Sequence, residues 1–202
     1  MGILPQMGYP KDTSASGPIL EKVKAELTRS LPLIAPRGAY FSIEEINPEG
    51  LEVFGPIEAI VLALATIGPA LENYANRLIN NSQGATGLIA DAIGTVAAEQ
   101  TADYVESKIQ QHWGQLGWKI SRRYAPGYCG WNLKAQKQLL GYFPDTIGIQ
   151  LTDGCLMVPE KSLSFVCLLS KTGDFSNIKL GDCKRCRQDN CPYRRSPCEE
   201  KS

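Results

Sequence analysis

The chain has 202 residues, with 21 Lys and Arg balanced by 21 Asp and Glu, one His and seven Cys. That length accommodates one domain with an appendage, and 43% hydrophobic with 21% charged residues excludes a disordered chain. Zero net charge supplies no bulk attraction to nucleic acid or to an anionic membrane. One histidine excludes a zinc site built on several imidazoles, and any Ser/His or Cys/His catalysis would have to run through His112.

The first residues carry no basic region followed by an apolar stretch, so no secretory signal is expected. Residues 1–16 are rich in Gly, Pro, Ser and Thr and predict an arm or loop. Helical spacing begins near Pro18, with Ile19, Leu20, Val23, Leu27 and Leu31 recurring at three and four, and Ser16 placed to cap it. Short strands are predicted over Ala39–Ile43 and Leu51–Phe54, across a turn at Asn47–Gly50. Ile57 to Ala65 is continuously apolar, as in a central strand. The apolar run to Ile67 is far short of the roughly 20 residues that span a bilayer.

Gly68–Pro69 opens a helix predicted to run to about Ile79, and a long Ala-rich helix follows from Gly84 to Gln111. Its small residues Ala90, Ala92, Gly94, Ala97 and Ala98 suggest close packing against another element. Trp118–Arg122 predicts a strand, Asn132–Leu140 a short helix, and Ile147–Leu151 and Leu163–Leu169 two strands close enough for a hairpin. Strands and helices do not alternate strictly. The predicted class is therefore α+β, with a largely antiparallel twisted sheet and long packed helices.

The most specific pattern is Arg123–Tyr–Ala–Pro–Gly–Tyr128, followed by Trp131 and then Met157–Val–Pro159. A strand delivers an arginine into an X-Pro-Gly turn followed by an aromatic ring. Pro126 pushes Ala125 into extended backbone, leaving its N–H and C=O open to a ligand. Gly127 permits a geometry or an approach that a Cβ would block. The arginine could pair with a carboxylate in bidentate fashion, so a small ligand carrying a carboxylate and a purine suits the site. The same residues also suit an ordinary strand-turn-helix connection with a surface arginine.

Arg123–Tyr128 resembles the Arg-x-x-Pro-Gly-Tyr signature of the activation domain of vitamin B12-dependent methionine synthase. Ala98–Val105 resembles the helix before that signature, and Ile149–Asp153 with Met157–Pro159 resembles the strand and Met-x-Pro turn after it. The segment from Ile57 through Thr66–Leu71 fits the stand-alone forms. The resemblance spans most of residues 17–170, in order. It implies an activation domain over 17–180, after an arm over 1–16 and before a cysteine-rich metal-binding tail over 181–202.

The resemblance implies that the protein binds S-adenosylmethionine and presents its methyl group to a cobalamin held by a partner, a methyltransferase or corrinoid protein. An oxidised cob(II)alamin takes one electron from an external donor and is then methylated, which reactivates a methionine synthase-like system. Carried over by residue, Arg123 holds the methionine carboxylate. Backbone at Ala125 and Gly127 meets the adenosyl part, Tyr128 lies beside it, and Glu99 offers a polar contact. Glu99 is equally compatible with a solvated helix face. Methyl transfer needs little proton chemistry, which suits a chain whose His112 looks like a helix-end residue. Three features depart from the pattern. Cys167 stands where the full-length synthases have a tyrosine, the acid expected shortly before the arginine is missing from Gly114–Trp118, and no N-terminal aspartate arm is recognisable.

Four cysteines, Cys183, Cys186, Cys191 and Cys198, follow a C-x2-C-x4-C-x6-C spacing among Lys184, Arg185, Arg187, Arg194 and Arg195. A C-x2-C pair can chelate one metal through two thiolates, and two more complete four-coordinate zinc or a [4Fe–4S] cluster. The nearby cations would lower the thiol pKa values. Similar tails accompany stand-alone members of the family resembled. An iron–sulfur cluster there implies electron donation to the partner's cobalt, whereas zinc implies structure or docking. Cys129 could line the site, while Cys155 and Cys167 read as packing residues. Clustered cysteines without an export signal favour a reducing cytoplasm.

Two other functions fit parts of the sequence. A redox or docking partner of a corrinoid protein could keep the fold without binding S-adenosylmethionine. A metal-stapled nucleic-acid binder could use the Arg-rich tail, but neutral charge and the lack of interleaved aromatics oppose it. The expected partners therefore include neither nucleic acid nor membrane.

Overall fold

The structure, a computed structural model, describes residues 2–9, 17–43, 51, 54, 57–128, 131–175 and 178. In chain order it contains α1 (Ile3–Gln6), α2 (Gly17–Ser30), a 3-10 turn (Leu31–Leu33), β1 (Arg37–Ile43), β2 (Ala59–Thr66), α3 (Ala70–Asn80) and α4 (Gly84–Gln115). Then come β3 (Lys119–Ile120), α5 (Ala135–Gly141), β4 (Gln150–Leu151), β5 (Met157–Val158) and β6 (Ser162–Ser170). A four-stranded sheet has the order β1-β2-β6-β3, and β4 and β5 form a separate hairpin. β3 pairs antiparallel with β6, and β4 with β5. The class is α+β, as the sequence predicts. Among the described residues no helix is long and apolar enough to cross a membrane.

The chain forms two compact units: Met1–Ala39 with Leu64–Tyr104 and Thr146–Leu163, and Tyr40–Ala63 with Val105–Asp145 and Ser164–Ser202. In the first, Val23, Ile67, Leu71, Ala75, Ile89, Ala90, Ile93 and Ala98 make a continuous core. Leu163 at the start of β6 packs against it, so this part of α4 lies on strand residues. Ile3, Leu4 and Met7 also pack against this core, so one helical turn stands inside the segment predicted as an arm. Burial of two or three apolar side chains suffices to order so short a turn. On α2 only Val23 of the predicted stripe is buried, while Leu20 and Leu31 are 41% and 57% exposed.

Every residue of β2 is buried, which explains why it reads as an unbroken apolar run rather than an alternating one. Its last residue, Thr66, anchors a polar chain in the first unit. The Gly68 N–H donates to Thr66 Oγ1 at 3.1 Å, and the Thr66 and Ser162 hydroxyls lie 2.8 Å apart. Ser162 Oγ also lies 2.7 Å from the Pro159 carbonyl. With Thr66 donating to Ser162 and Ser162 to Pro159, every member of the chain is satisfied. Gly94 leaves room for the Lys161 stem, whose Nζ reaches Asp91 Oδ1 at 2.6 Å and Thr95 Oγ1 at 3.0 Å.

Three local expectations are corrected. β4 pairs with β5, not with the Leu163–Leu169 strand, because Thr152–Leu156 closes a tight turn first. The Thr152 N–H donates to the Leu156 carbonyl, and Cys155 adopts a left-handed φ of 64° in that turn. The Phe54 N–H donates to the Leu51 carbonyl at 3.1 Å, a bond that a strand over Leu51–Phe54 would not make, and residues 52 and 53 lie outside the described residues. Gly84–Gln115 runs four residues beyond the predicted end and takes in Gly114, despite the low helix propensity of glycine.

Gly87 sets how closely α4 approaches α3. A Cβ there would lie 2.6 Å from Ile79 Cγ1 and 3.0 Å from the Ala75 carbonyl oxygen. Alanine is the better helix former, yet Gly87→Ala should destabilise the protein by about 1–3 kcal/mol. Urea denaturation measures this, and a stabilised variant would contradict the packing described. Thr66→Val, which strands the Gly68 N–H and removes the partner of Ser162, should also cost about 1–3 kcal/mol in the same assay.

Candidate functional site

The signature lies in the second unit, where β3 runs on toward it along β6. The register pairs Lys119 with Ser170 and Ile120 with Leu169. The Ser121 N–H then donates to the Leu168 carbonyl, and Tyr124 and Val166 exchange two hydrogen bonds of 2.9 and 2.8 Å. Three steps on one strand therefore match two on the other. Arg122 and Arg123 together oppose Cys167, which is a β-bulge. Ser121 fills the gap in the ladder: its hydroxyl accepts from the Leu168 N–H at 2.9 Å and donates to the Arg122 carbonyl at 2.7 Å.

The bulge turns the Arg123 side chain inward. Its guanidinium lies 5.7 Å from the centroid of the Phe165 ring and only 8% of the side chain is exposed. Glu106 of α4 holds it at both ends. Nη1 of Arg123 donates to Glu106 Oε2 at 3.2 Å, and the Arg123 backbone N–H donates to Glu106 Oε1 at 3.3 Å. This carboxylate lies 17 positions upstream of Arg123, and residues 114–118 supply none. Sequence reasoning passes over Glu106, although a signal exists. Ala102, Val105, Glu106 and Ile109 are all buried and fall on one helix face. A carboxylate inside an apolar stripe calls for a cation or hydrogen-bond donors within reach.

Past the bulge, Ala125–Tyr128 forms a turn. The Tyr128 N–H donates to the Ala125 carbonyl at 3.2 Å, and Gly127 has φ +85°. Pro then Gly at the two central positions, with positive φ at the second, is a type II turn. The turn continues into a loop closed by Gly127 N–H to Trp131 O at 2.8 Å and Trp131 N–H to Tyr128 O at 3.0 Å. The expectation that the Ala125 carbonyl stays open is therefore corrected, because the turn engages it. Its N–H has no acceptor among the described residues. Phe54 supports the segment from behind, edge-on to Tyr124 at 5.4 Å and to Trp131 at 5.1 Å. Tyr128 points outward and is 48% exposed.

Arg123, Ala125, Gly127 and Tyr128 thus share one stretch of one unit. Glu99 is half-buried on the part of α4 that belongs to the other unit. Cys129, Cys183, Cys186, Cys191 and Cys198 lie outside the described residues. Among the described residues no group of three or more His, Cys, Asp or Glu could hold a metal ion. His112 is exposed near the end of α4, in ring contact with Tyr40 and Trp113, as expected of a helix-end residue.

Cys155 and Cys167 are free and buried. Burial, and then the Glu106 carboxylate, push the Cys167 thiol far above its ordinary value of 9.0, while the Arg123 guanidinium acts the other way. The folded state keeps this proton to higher pH than the unfolded chain does. Stability from this group is present below the ordinary thiol value and falls as pH rises past it. Native protein should therefore leave Cys167 unalkylated by iodoacetamide at about pH 8.5, with labelling only after unfolding. Peptide mapping that finds rapid native labelling would contradict this burial. Gly127→Ala should cost about 1–2 kcal/mol in thermal or urea unfolding, for its left-handed backbone; an unchanged midpoint would exclude the turn described.

No model of a known protein family matches the chain, and no curated protein does. Among solved structures, the chain is similar to the crystal structure of the MetH reactivation domain bound to AdoHcy, with a TM-score of 0.60. The two are 13% identical in sequence, over 81% of this chain and 71% of that one. At that identity the likeness concerns the fold, and the fold is that of the MetH reactivation domain.

Proposed function

We propose that the protein binds S-adenosylmethionine at the Arg123–Tyr128 turn and supports reductive methylation of a cobalamin carried by a partner methyltransferase or corrinoid protein. The observation that carries this reading is the bulge and type II turn, which gather an arginine, a backbone N–H and an exposed aromatic ring within six residues. The fold adds support, because the similar MetH reactivation domain was crystallised with AdoHcy, the form of the ligand without its methyl group.

In this proposal Arg123 takes the methionine carboxylate. A guanidinium carries five N–H donors in a planar fork, so one side chain can serve Glu106 and a ligand carboxylate together. Backbone at Ala125 and Gly127 meets the adenosyl part, and Tyr128 covers it. One electron from an external donor reduces the partner's cobalt, the methyl passes from the sulfonium to it, and S-adenosylhomocysteine remains. The chain's own contribution is binding and orientation, so no proton-transfer residue is required.

A second reading is supported by the burial of Arg123 on Glu106. In it the protein docks to a corrinoid protein, or passes it an electron, without binding S-adenosylmethionine. Calorimetric titration of intact protein with S-adenosylmethionine separates the two. The first predicts saturable binding that weakens about tenfold or more in Arg123→Lys, which keeps the charge but loses the fork. No heat of binding from folded protein would establish the second instead.

We further propose that Cys183, Cys186, Cys191 and Cys198 bind a metal, since four thiolates form a donor set suited to zinc or to a [4Fe–4S] cluster. Anaerobically prepared protein should contain iron and sulfide with broad visible absorption, or one stoichiometric zinc. The first outcome supports an electron-transfer role and the second a structural one. Metal-free protein from an anaerobic preparation would refute the site.

A further inference from the structure

We infer that Glu106 is a positioning residue that aims Arg123 at the carboxylate of the ligand, an inference that rests on the S-adenosylmethionine reading of the same turn. Its two oxygens serve two different parts of one residue. Oε1 accepts from the Arg123 backbone N–H at 3.3 Å, and Oε2 accepts from Nη1 at 3.2 Å. The first contact fixes the strand at the bulge, and the second fixes the head of the side chain. An arginine with several rotatable bonds is thereby held at its root and its tip, which removes most of the ordering cost of engaging a second anion.

Phe165 lies under the guanidinium, Cys167 opposes the bulge with its thiol kept protonated, and the Glu106 side chain is 12% exposed. Without Glu106 the Arg123 guanidinium would lose this carboxylate, and the side chain would move toward water. Glu106 keeps the charge in place and the fork oriented. It touches Arg123 and acts on the ligand through it.

The test compares two ligands, S-adenosylmethionine and 5′-methylthioadenosine, which keeps the adenosyl part and lacks the amino-acid carboxylate. Calorimetry on wild-type protein, Glu106→Gln and Glu106→Ala should show a selective effect. Glu106→Ala is expected to lose about tenfold in affinity for S-adenosylmethionine, and Glu106→Gln, whose single amide oxygen can replace only one of the two accepting oxygens, an intermediate amount of about threefold. Affinity for 5′-methylthioadenosine should change little in either variant. Equal losses for both ligands would reduce Glu106 to a structural support, and tighter S-adenosylmethionine binding in Glu106→Ala would make it a competitor of the ligand; either overturns the inference. Should Glu106→Ala fail to fold, Glu106→Leu with Arg123→Met removes both charges together and is expected to fold. That double variant should bind the two ligands with nearly equal affinity, and retained preference for S-adenosylmethionine would overturn the inference. Wild-type protein that is folded and binds neither ligand removes the functional reading itself, an outcome distinct from an unselective Glu106 effect.

Discussion

The buried pair between Glu106 and Arg123 is the constraint around which the second unit is arranged. Two charges, each with little solvent contact, are held at 3.2 Å between a helix and the bulged strand. Removing one partner of a buried ion pair costs about 3–5 kcal/mol in general. The bulge opposite Cys167 exists to make this contact possible. A regular ladder would put only one residue opposite Cys167, whereas the extra residue turns Arg123 inward and lets the backbone also reach Glu106. Ser121 repairs the ladder that the bulge interrupts, and a buried, protonated Cys167 keeps a third charge out of the cluster.

From that anchor the geometry of the signature follows in order. The chain leaves the bulge at Tyr124, is braced by Phe54, and enters a type II turn that only glycine adopts comfortably at its third position. The turn consumes the Ala125 carbonyl and the Gly127 N–H, and exposes the Tyr128 ring. What remains for a small ligand is a pre-oriented guanidinium, one backbone N–H and an aromatic surface. Such a set suits binding and positioning, which is the kind of work a methyl transfer to cobalt asks of the protein that holds the methyl donor.

Much of this was legible in the sequence, for physical reasons that differ by element. The apolar run of β2, the Ala-rich length of α4 and the Pro–Gly turn are written in local residue chemistry, and each is found within a few residues of its expected bounds. The pairing of β4 with β5 was not, because two-residue strands carry no periodicity and the turn between them uses Cys155 rather than glycine in the left-handed position. The short α1 was hidden for a similar reason, since its order comes from packing on Val23 and its neighbours and not from helix propensity. Within the site, the arginine and the turn announce themselves as a contiguous motif. Glu106 does not, because its meaning depends on a contact 17 residues away. The carboxylate that pairs with Arg123 comes from the preceding helix, and only the fold brings the two together.

Hydrogen–deuterium exchange of the intact protein, with and without saturating S-adenosylmethionine, tests the central claim most directly. If the Arg123–Tyr128 turn is the binding site, amides in peptides covering Ala125, Gly127 and Tyr128 should exchange more slowly with the ligand present. Unchanged exchange in those peptides, or protection confined to another part of the chain, would contradict the assignment.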